Sequence, residues 1–137
     1  MIMSTSRRAT ARMGNRFSKQ AFLVIVALAI ALHAYQQLAL ASTFSVGWFA
    51  WALTPYAVCA LLLWRLESGV PSICGALAAL LLDLDTHYDV FIHPGSSTAA
   101  LALIFVPLWS TILICPVVML IAWLIVNRRR TAAHRAP

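Results

Sequence analysis

Hydrophobic and polar positions alternate in long blocks along this chain, so that four apolar runs are separated by short polar breaks. The runs cover about residues 21–41, 46–64, 71–92 and 98–126, which we name the first to fourth spans. Each is long enough to cross a hydrocarbon core of about 30 Å, because an α-helix rises about 1.5 Å per residue. The pattern predicts an all-α integral membrane protein, a four-helix transmembrane bundle between a polar leader (1–20) and a polar tail (128–137).

Prolines predict where these spans begin, bend and end. Thr54-Pro55 predicts a kink in the second span, because proline removes one backbone hydrogen bond. Pro71 suits the first turn of the third span, where an amide proton has no helical partner. His93-Pro94-Gly95 predicts the turn that precedes the fourth span.

The fourth span is over-long for a straight crossing. A helix over 98–126 would measure about 43 Å, so we expect a tilt, or kinks at Pro107 and Pro116. The small residues of its beginning, 96–101, are of the kind that lets membrane helices approach one another closely.

Acidic residues interrupt the third span, whose strictly apolar part ends at Leu82 and is too short to cross alone. A helix continued from Pro71 to Ile92 would be about 33 Å long, which matches the bilayer. Asp83 then lies about 18 Å from the inner end, near or just past the midplane, and Asp85 half a turn further out. An aspartate at the centre of a span costs about 2.5–3.5 kcal/mol, so both carboxylates require partners.

The first span supplies candidate partners at the same depth. His33 lies twelve residues above the start of its span, as Asp83 does in the third span, and both helices run outward. Gln36 and Gln37 match the level of residues 85–89. We therefore expect a polar network of Asp83 and Asp85 with His33 and the two glutamines, since intramembrane ionisable residues pair with one another.

A second arrangement of the same segment would bind a divalent metal. Along a helix, Asp85, Asp89 and His93 share one stripe, and Asp83 and His87 form another pair four residues apart. Histidine with carboxylate suits zinc or another transition ion. An extended strand would also bring Asp83, Asp85, His87 and Asp89 to one face, so the pattern leaves the geometry open.

The distribution of charged residues predicts how the chain is oriented in the membrane. The chain is 62% hydrophobic and only 10% charged, with a net charge of +6, and its mean hydropathy is +0.86. Because cytoplasmic flanks of membrane spans are rich in Lys and Arg, both termini are expected in the cytoplasm of a bacterial inner membrane. We expect these cations to bind anionic lipid headgroups rather than nucleic acid, and the leader to be flexible or to lie on the membrane surface. The cations expected to bind headgroups are Arg7, Arg8, Arg12, Arg16, Lys19, Arg128, Arg129 and Arg130.

The remaining motifs are sparse. Cys59, Cys74 and Cys115 lie in predicted spans without C-x-x-C spacing, which indicates apolar packing residues rather than a disulfide or redox pair. The basic start and the residues around 39–41 are similar to a cleavable signal, but about nine residues separate the apolar core from that site. We therefore expect the first span to be retained.

The sequence supports three hypotheses of function. With no catalytic motif, the chain is expected to be a non-enzymatic membrane protein that binds a protein partner, as an accessory, regulatory or immunity-type subunit, or forms a homo-oligomer. The alternative is an oligomeric proton- or cation-coupled carrier that uses intramembrane Asp and His. In size and span count the chain is similar to small four-helix transporters, but His33 stands where those have an acidic residue. The third hypothesis is a metal-dependent enzyme at the outer face.

Overall fold

The computed structural model describes residues 3–40, 45–65, 69–93 and 99–135, and all regular structure in these ranges is helical. This confirms the all-α prediction. The elements in chain order are α1 (Met3–Leu40), α2 (Val46–Ala52), α3 (Thr54–Arg65), α4 (Val70–His87) with a π-helical turn (Tyr88–Ile92), α5 (Ala99–Trp109), a second π-helical turn (Ser110–Ile114) and α6 (Cys115–Arg135).

Three helices in the described ranges are long and apolar enough to cross a membrane, namely Phe17–Ala39, Val70–Ile92 and Leu101–Arg129. The bent pair α2 and α3 makes a fourth candidate if it is taken as one span. These helices agree with the four predicted spans to within a few residues. Three to four apolar helices of this length indicate a membrane protein.

The leader, which was expected to be flexible or to lie on the membrane surface, is helical in its described residues. Its backbone is helical from Met3 and continues into the first span without a break, so that α1 is 38 residues long. The leader has no proline and many residues of good helix propensity, including alanine, arginine, methionine and lysine. The helix therefore continues through this segment without an apolar period. The lack of that period is the reason why the sequence predicted no helix here.

Helix α4 lies at the centre of the bundle and packs against α1, α3 and α6. A close approach occurs at Gly75, where an added Cβ would lie 2.8 Å from Cγ of Met119 in α6 and 3.1 Å from Sγ of Cys59 in α3. Cys59 and Cys115 are fully buried at this crossing, and the three cysteines are free thiols. The predicted role of the cysteines as packing residues agrees with this arrangement.

The second span bends by 53° between α2 and α3, at Leu53. The kink expected at Thr54-Pro55 is therefore present, one residue earlier, because Pro55 has no amide proton to continue the helix. The Thr54 hydroxyl donates to the carbonyl of Ala50 at 3.3 Å. The indole of Trp51 donates to the carbonyl of Ile104 at 3.2 Å, which ties α2 to α5.

The third span is helical to Ile92, as its length required, and Pro71 lies in its first turn as predicted. Its last turn is wound as a π-helix, in which the amide of His93 donates to the carbonyl of Tyr88 at 2.9 Å. The turn predicted after His93 falls on residues 94–98, outside the described ranges.

The fourth span also contains a π-helical turn, and it lies between Pro107 and Pro116. The Thr111 hydroxyl donates to the carbonyl of Pro107 at 2.7 Å. The irregularity expected at the two prolines thus takes the form of one π-helical turn between them.

Candidate functional site

His33 of α1 and Asp83 of α4 meet inside the bundle. Their closest atoms, Nε2 and Oδ2, are 3.1 Å apart, and the two residues are 6% and 3% exposed. The expected contact is present because a fixed helical rise brings residues at equal depth opposite each other when both helices run the same way. This is the longest-range prediction drawn from the sequence, since the residues are fifty positions apart.

Tyr56 completes the cluster from a third helix. Its hydroxyl, in the first turn of α3, donates to the same Oδ2 of Asp83 at 2.6 Å. Its ring stands edge-on to the imidazole of His33, with centroids 6.5 Å apart. Sequence reasoning missed Tyr56, although a tyrosine inside a span is a usable signal, because a buried hydroxyl needs a hydrogen-bond partner. We call His33, Tyr56 and Asp83 the buried triad.

Gln36 connects the triad to a second histidine. Its Oε1 lies 2.9 Å from Nδ1 of His33, and its Nε2 lies 3.5 Å from Nδ1 of His87. His87 is half-buried at the C-terminal end of α4, where Tyr35 meets its ring edge-on and Phe91 stacks on it. The amide of Gln36 therefore bridges a buried imidazole and a partly accessible one.

The arrangement fixes where a proton can reside. With Gln36 Oε1 accepting from Nδ1 of His33, the opposite nitrogen still faces Asp83 Oδ2, so one further proton is shared between Nε2 and Oδ2. If the amide rotates by 180°, its nitrogen donates to Nδ1, and a neutral imidazole donates from Nε2 to the carboxylate. The two states differ by one proton, and each satisfies the hydrogen bonds of His33.

The other expected members of the polar network lie elsewhere. Gln37 is buried, but its Oε1 accepts from the backbone amide of Ser45 at 3.2 Å rather than reaching the level of residues 85–89. Asp85 is exposed and lies outside the triad. Two positions along a helix change the facing direction by about 200°, so Asp83 and Asp85 face opposite sides of α4.

The residues of the predicted metal stripe lie at the end of α4, in the π-helical turn and directly after it. In the π-helical turn His93 stacks on Tyr88, with ring centroids 6.0 Å apart, because the wider winding pairs residues five positions apart rather than four. Asp85, Asp89 and His93 are exposed. Within the described ranges no three His, Cys, Asp or Glu side chains are grouped to hold a metal. Metal binding stays a prediction, which elemental analysis of the purified protein tests.

The predicted headgroup-binding cations lie at the two ends of the described chain. Lys19, Arg128 and Arg129 are exposed. The side chains of Arg7, Arg8, Arg12, Arg16 and Arg130 are not among those that the structure describes.

Comparison with known proteins gives no relative from which a function follows: no family model, curated protein or solved structure matches this chain. The function must therefore be argued from the buried triad and its surroundings.

Proposed function

We propose that this chain is a multi-pass protein of a bacterial inner membrane that works as an oligomeric proton- or cation-coupled carrier, with the buried triad as its proton-binding site. One observation carries the proposal. Side chains from two other helices, His33 of α1 and Tyr56 of α3, converge on a single oxygen of Asp83, which is 3% exposed. Ionisable residues inside membrane spans commonly belong to proton relays or ion pathways.

The proposed topology has four spans, with α2 and α3 forming one bent span and both termini in the cytoplasm. The clusters of Lys and Arg at the two ends of the chain support this orientation, because they favour the cytoplasmic side. Two helical hairpins then face outward. Gln36 and His87 lie on the outer side of the triad in this topology.

Proton exchange explains why position 83 carries an aspartate. A buried ion pair is weak evidence for stability, since desolvation offsets much of the attraction between the charges. Asparagine has nearly the same shape, and its amide oxygen would accept a hydrogen bond from Tyr56 equally well. A purely structural network at this position therefore needs no ionisable group, whereas a proton carrier does.

Two neighbouring helices bring titratable groups to Asp83, namely His33 from α1 and Tyr56 from α3. Gln36 and His87 extend the hydrogen-bonded contacts outward, and rotation of the Gln36 amide would change the hydrogen bond that it offers to His33 when the triad gains or loses a proton.

Proton flux into proteoliposomes tests the proposal. Full-length protein is reconstituted with an internal pH dye, and a potassium diffusion potential drives proton entry. Asp83→Asn is expected to lower the flux to that of protein-free liposomes, while Asp85→Asn, its exposed neighbour on the same helix, retains it. Flux that is unchanged in Asp83→Asn would falsify a proton-carrying role for this cluster.

A second candidate is the binding of a protein partner within the membrane. The observation that favours it is the low burial of the fourth span, because only 22% of its most apolar window lies inside the bundle. Purification in mild detergent should then recover a second protein in stoichiometric amount. A homo-oligomer of this chain that carries proton flux without such a protein would exclude this role and retain the first.

A further inference from the structure

An apolar groove separates the inner halves of α1 and α3. Its volume is about 430 Å³, and Phe22 and Val26 line one wall while Ala60 and Trp64 line the other. The groove exists because small alanine side chains of α3 face α1 at this level. Volumes of about 300–1,000 Å³ are typical of ligand sites.

One end of the groove is charged. Lys19 is the single charged residue among those that line it, and it lies at the same end as Trp64. At the other end lie Val26 and Tyr56, seven and eight residues away along their helices, or about 10–12 Å. The groove thus runs from a cation at the predicted cytoplasmic boundary towards the middle of the bundle. Its length is a little less than the thickness of one leaflet, which is about 15 Å.

We infer that this groove binds one acyl chain of an anionic phospholipid, with the headgroup phosphate on Lys19. The apolar walls match a hydrocarbon chain, and the lack of acidic lining residues leaves Lys19 complementary to an anion. Basic pockets between membrane helices on the cytoplasmic side are known to bind anionic headgroups.

The size of the groove argues against a helix as its occupant. A helical segment as long as the groove, about 12 Å, and about 10 Å wide would fill roughly 940 Å³, about twice the volume of the groove. A single acyl chain is much thinner. This inference is independent of proton exchange at the buried triad, although Tyr56 contributes to both features.

Quenching of Trp64 fluorescence by brominated lipid tests the site directly. The full chain, with its other four tryptophans replaced by phenylalanine, is reconstituted with brominated phosphatidylglycerol or brominated phosphatidylcholine at equal mole fraction. We expect a preference of about fivefold for phosphatidylglycerol, which corresponds to about 1 kcal/mol for one cation near the surface. Lys19→Gln should abolish this preference.

Two matched variants make the result specific. Arg129→Gln removes an exposed cation from α6 and should keep the preference, whereas Ala60→Phe fills the groove and should reduce quenching by both lipids. Equal quenching by the two lipids in the unsubstituted chain, or an equal loss of preference in Lys19→Gln and Arg129→Gln, would overturn the inference. Quenching that depends on the protein-to-lipid ratio and not on the identity of the brominated lipid would indicate that a second copy of the chain occupies the groove. That result would also overturn the inference.

Discussion

Substitution of Gly75 by alanine tests the packing that holds the centre of the bundle together. The added Cβ would lie 2.8 Å from Met119 Cγ and 3.1 Å from Cys59 Sγ. Met119 Cγ is close to its own backbone, so relieving the contact requires a different rotamer or a shift of α6. Overpacking of this kind costs about 1–3 kcal/mol. Alanine also gains up to about 0.5–1 kcal/mol of helix propensity over glycine, which offsets part of that cost.

Gly47→Ala isolates the packing cost, because Gly47 is also helical but has no atom within 4 Å of an added Cβ. The assay is thermal unfolding in mild detergent. Gly75→Ala should melt below Gly47→Ala by roughly 4–12 °C, from about 4 °C per kcal/mol for a chain of this size. In a Met119→Ala background the difference should become smaller, because the contact with Met119 is removed and only the 3.1 Å contact with Cys59 Sγ remains. If Gly75→Ala melts at or above Gly47→Ala in the native background, the close approach of α4 and α6 is wrong.

Two further predictions concern buried hydroxyl groups. Tyr56→Phe removes a hydrogen bond to the carboxylate of Asp83 and should lower the free energy of unfolding, measured by chemical denaturation, by about 1.5–3 kcal/mol. Tyr35→Phe, which changes an exposed ring, should alter the free energy of unfolding little. Equal effects of the two variants would argue against the buried triad. Ser110 is fully buried, and its hydroxyl has no partner among the described residues, so Ser110→Ala should leave the melting temperature unchanged or raise it. Thr111→Val should lower it, because that hydroxyl donates to a carbonyl, and the reverse order of the two variants would contradict both assignments.

Depth along a helix was the most informative quantity in the sequence. Counting residues from the span ends placed His33 level with Asp83, and the shortness of the apolar part of the third span required its helix to continue through the aspartates. Both conclusions depend only on the helical rise and the bilayer thickness. The side of the helix that faces the core is harder to predict, because it depends on which neighbours surround α4. Asp85 and Gln37 were assigned to the network on depth alone, but Asp85 is exposed and Gln37 accepts from the amide of Ser45.

Two kinds of feature lay outside the reach of the sequence. The π-helical turn Tyr88–Ile92 changes the spacing of facing residues from four to five, so counting in α-helical steps does not place His93. Tyr56 was missed because it follows the bend within the second span, so its depth depends on the geometry at Leu53. A local winding defect or a bend displaces every later position, and residue counting does not detect it.

The bend at Leu53 makes the Tyr56–Asp83 hydrogen bond depend on the angle between two helices. Tyr56 lies in the first turn after the bend, while Trp51, just before it, is tied to Ile104 of α5. The short helix α2 therefore connects α5 to the hydrogen bond at the buried carboxylate. Because hydrogen bonds weaken steeply with distance and angle, a small rotation of α2 would release the hydroxyl from Asp83. Movement of α5 would then change the hydrogen bonding of the buried carboxylate.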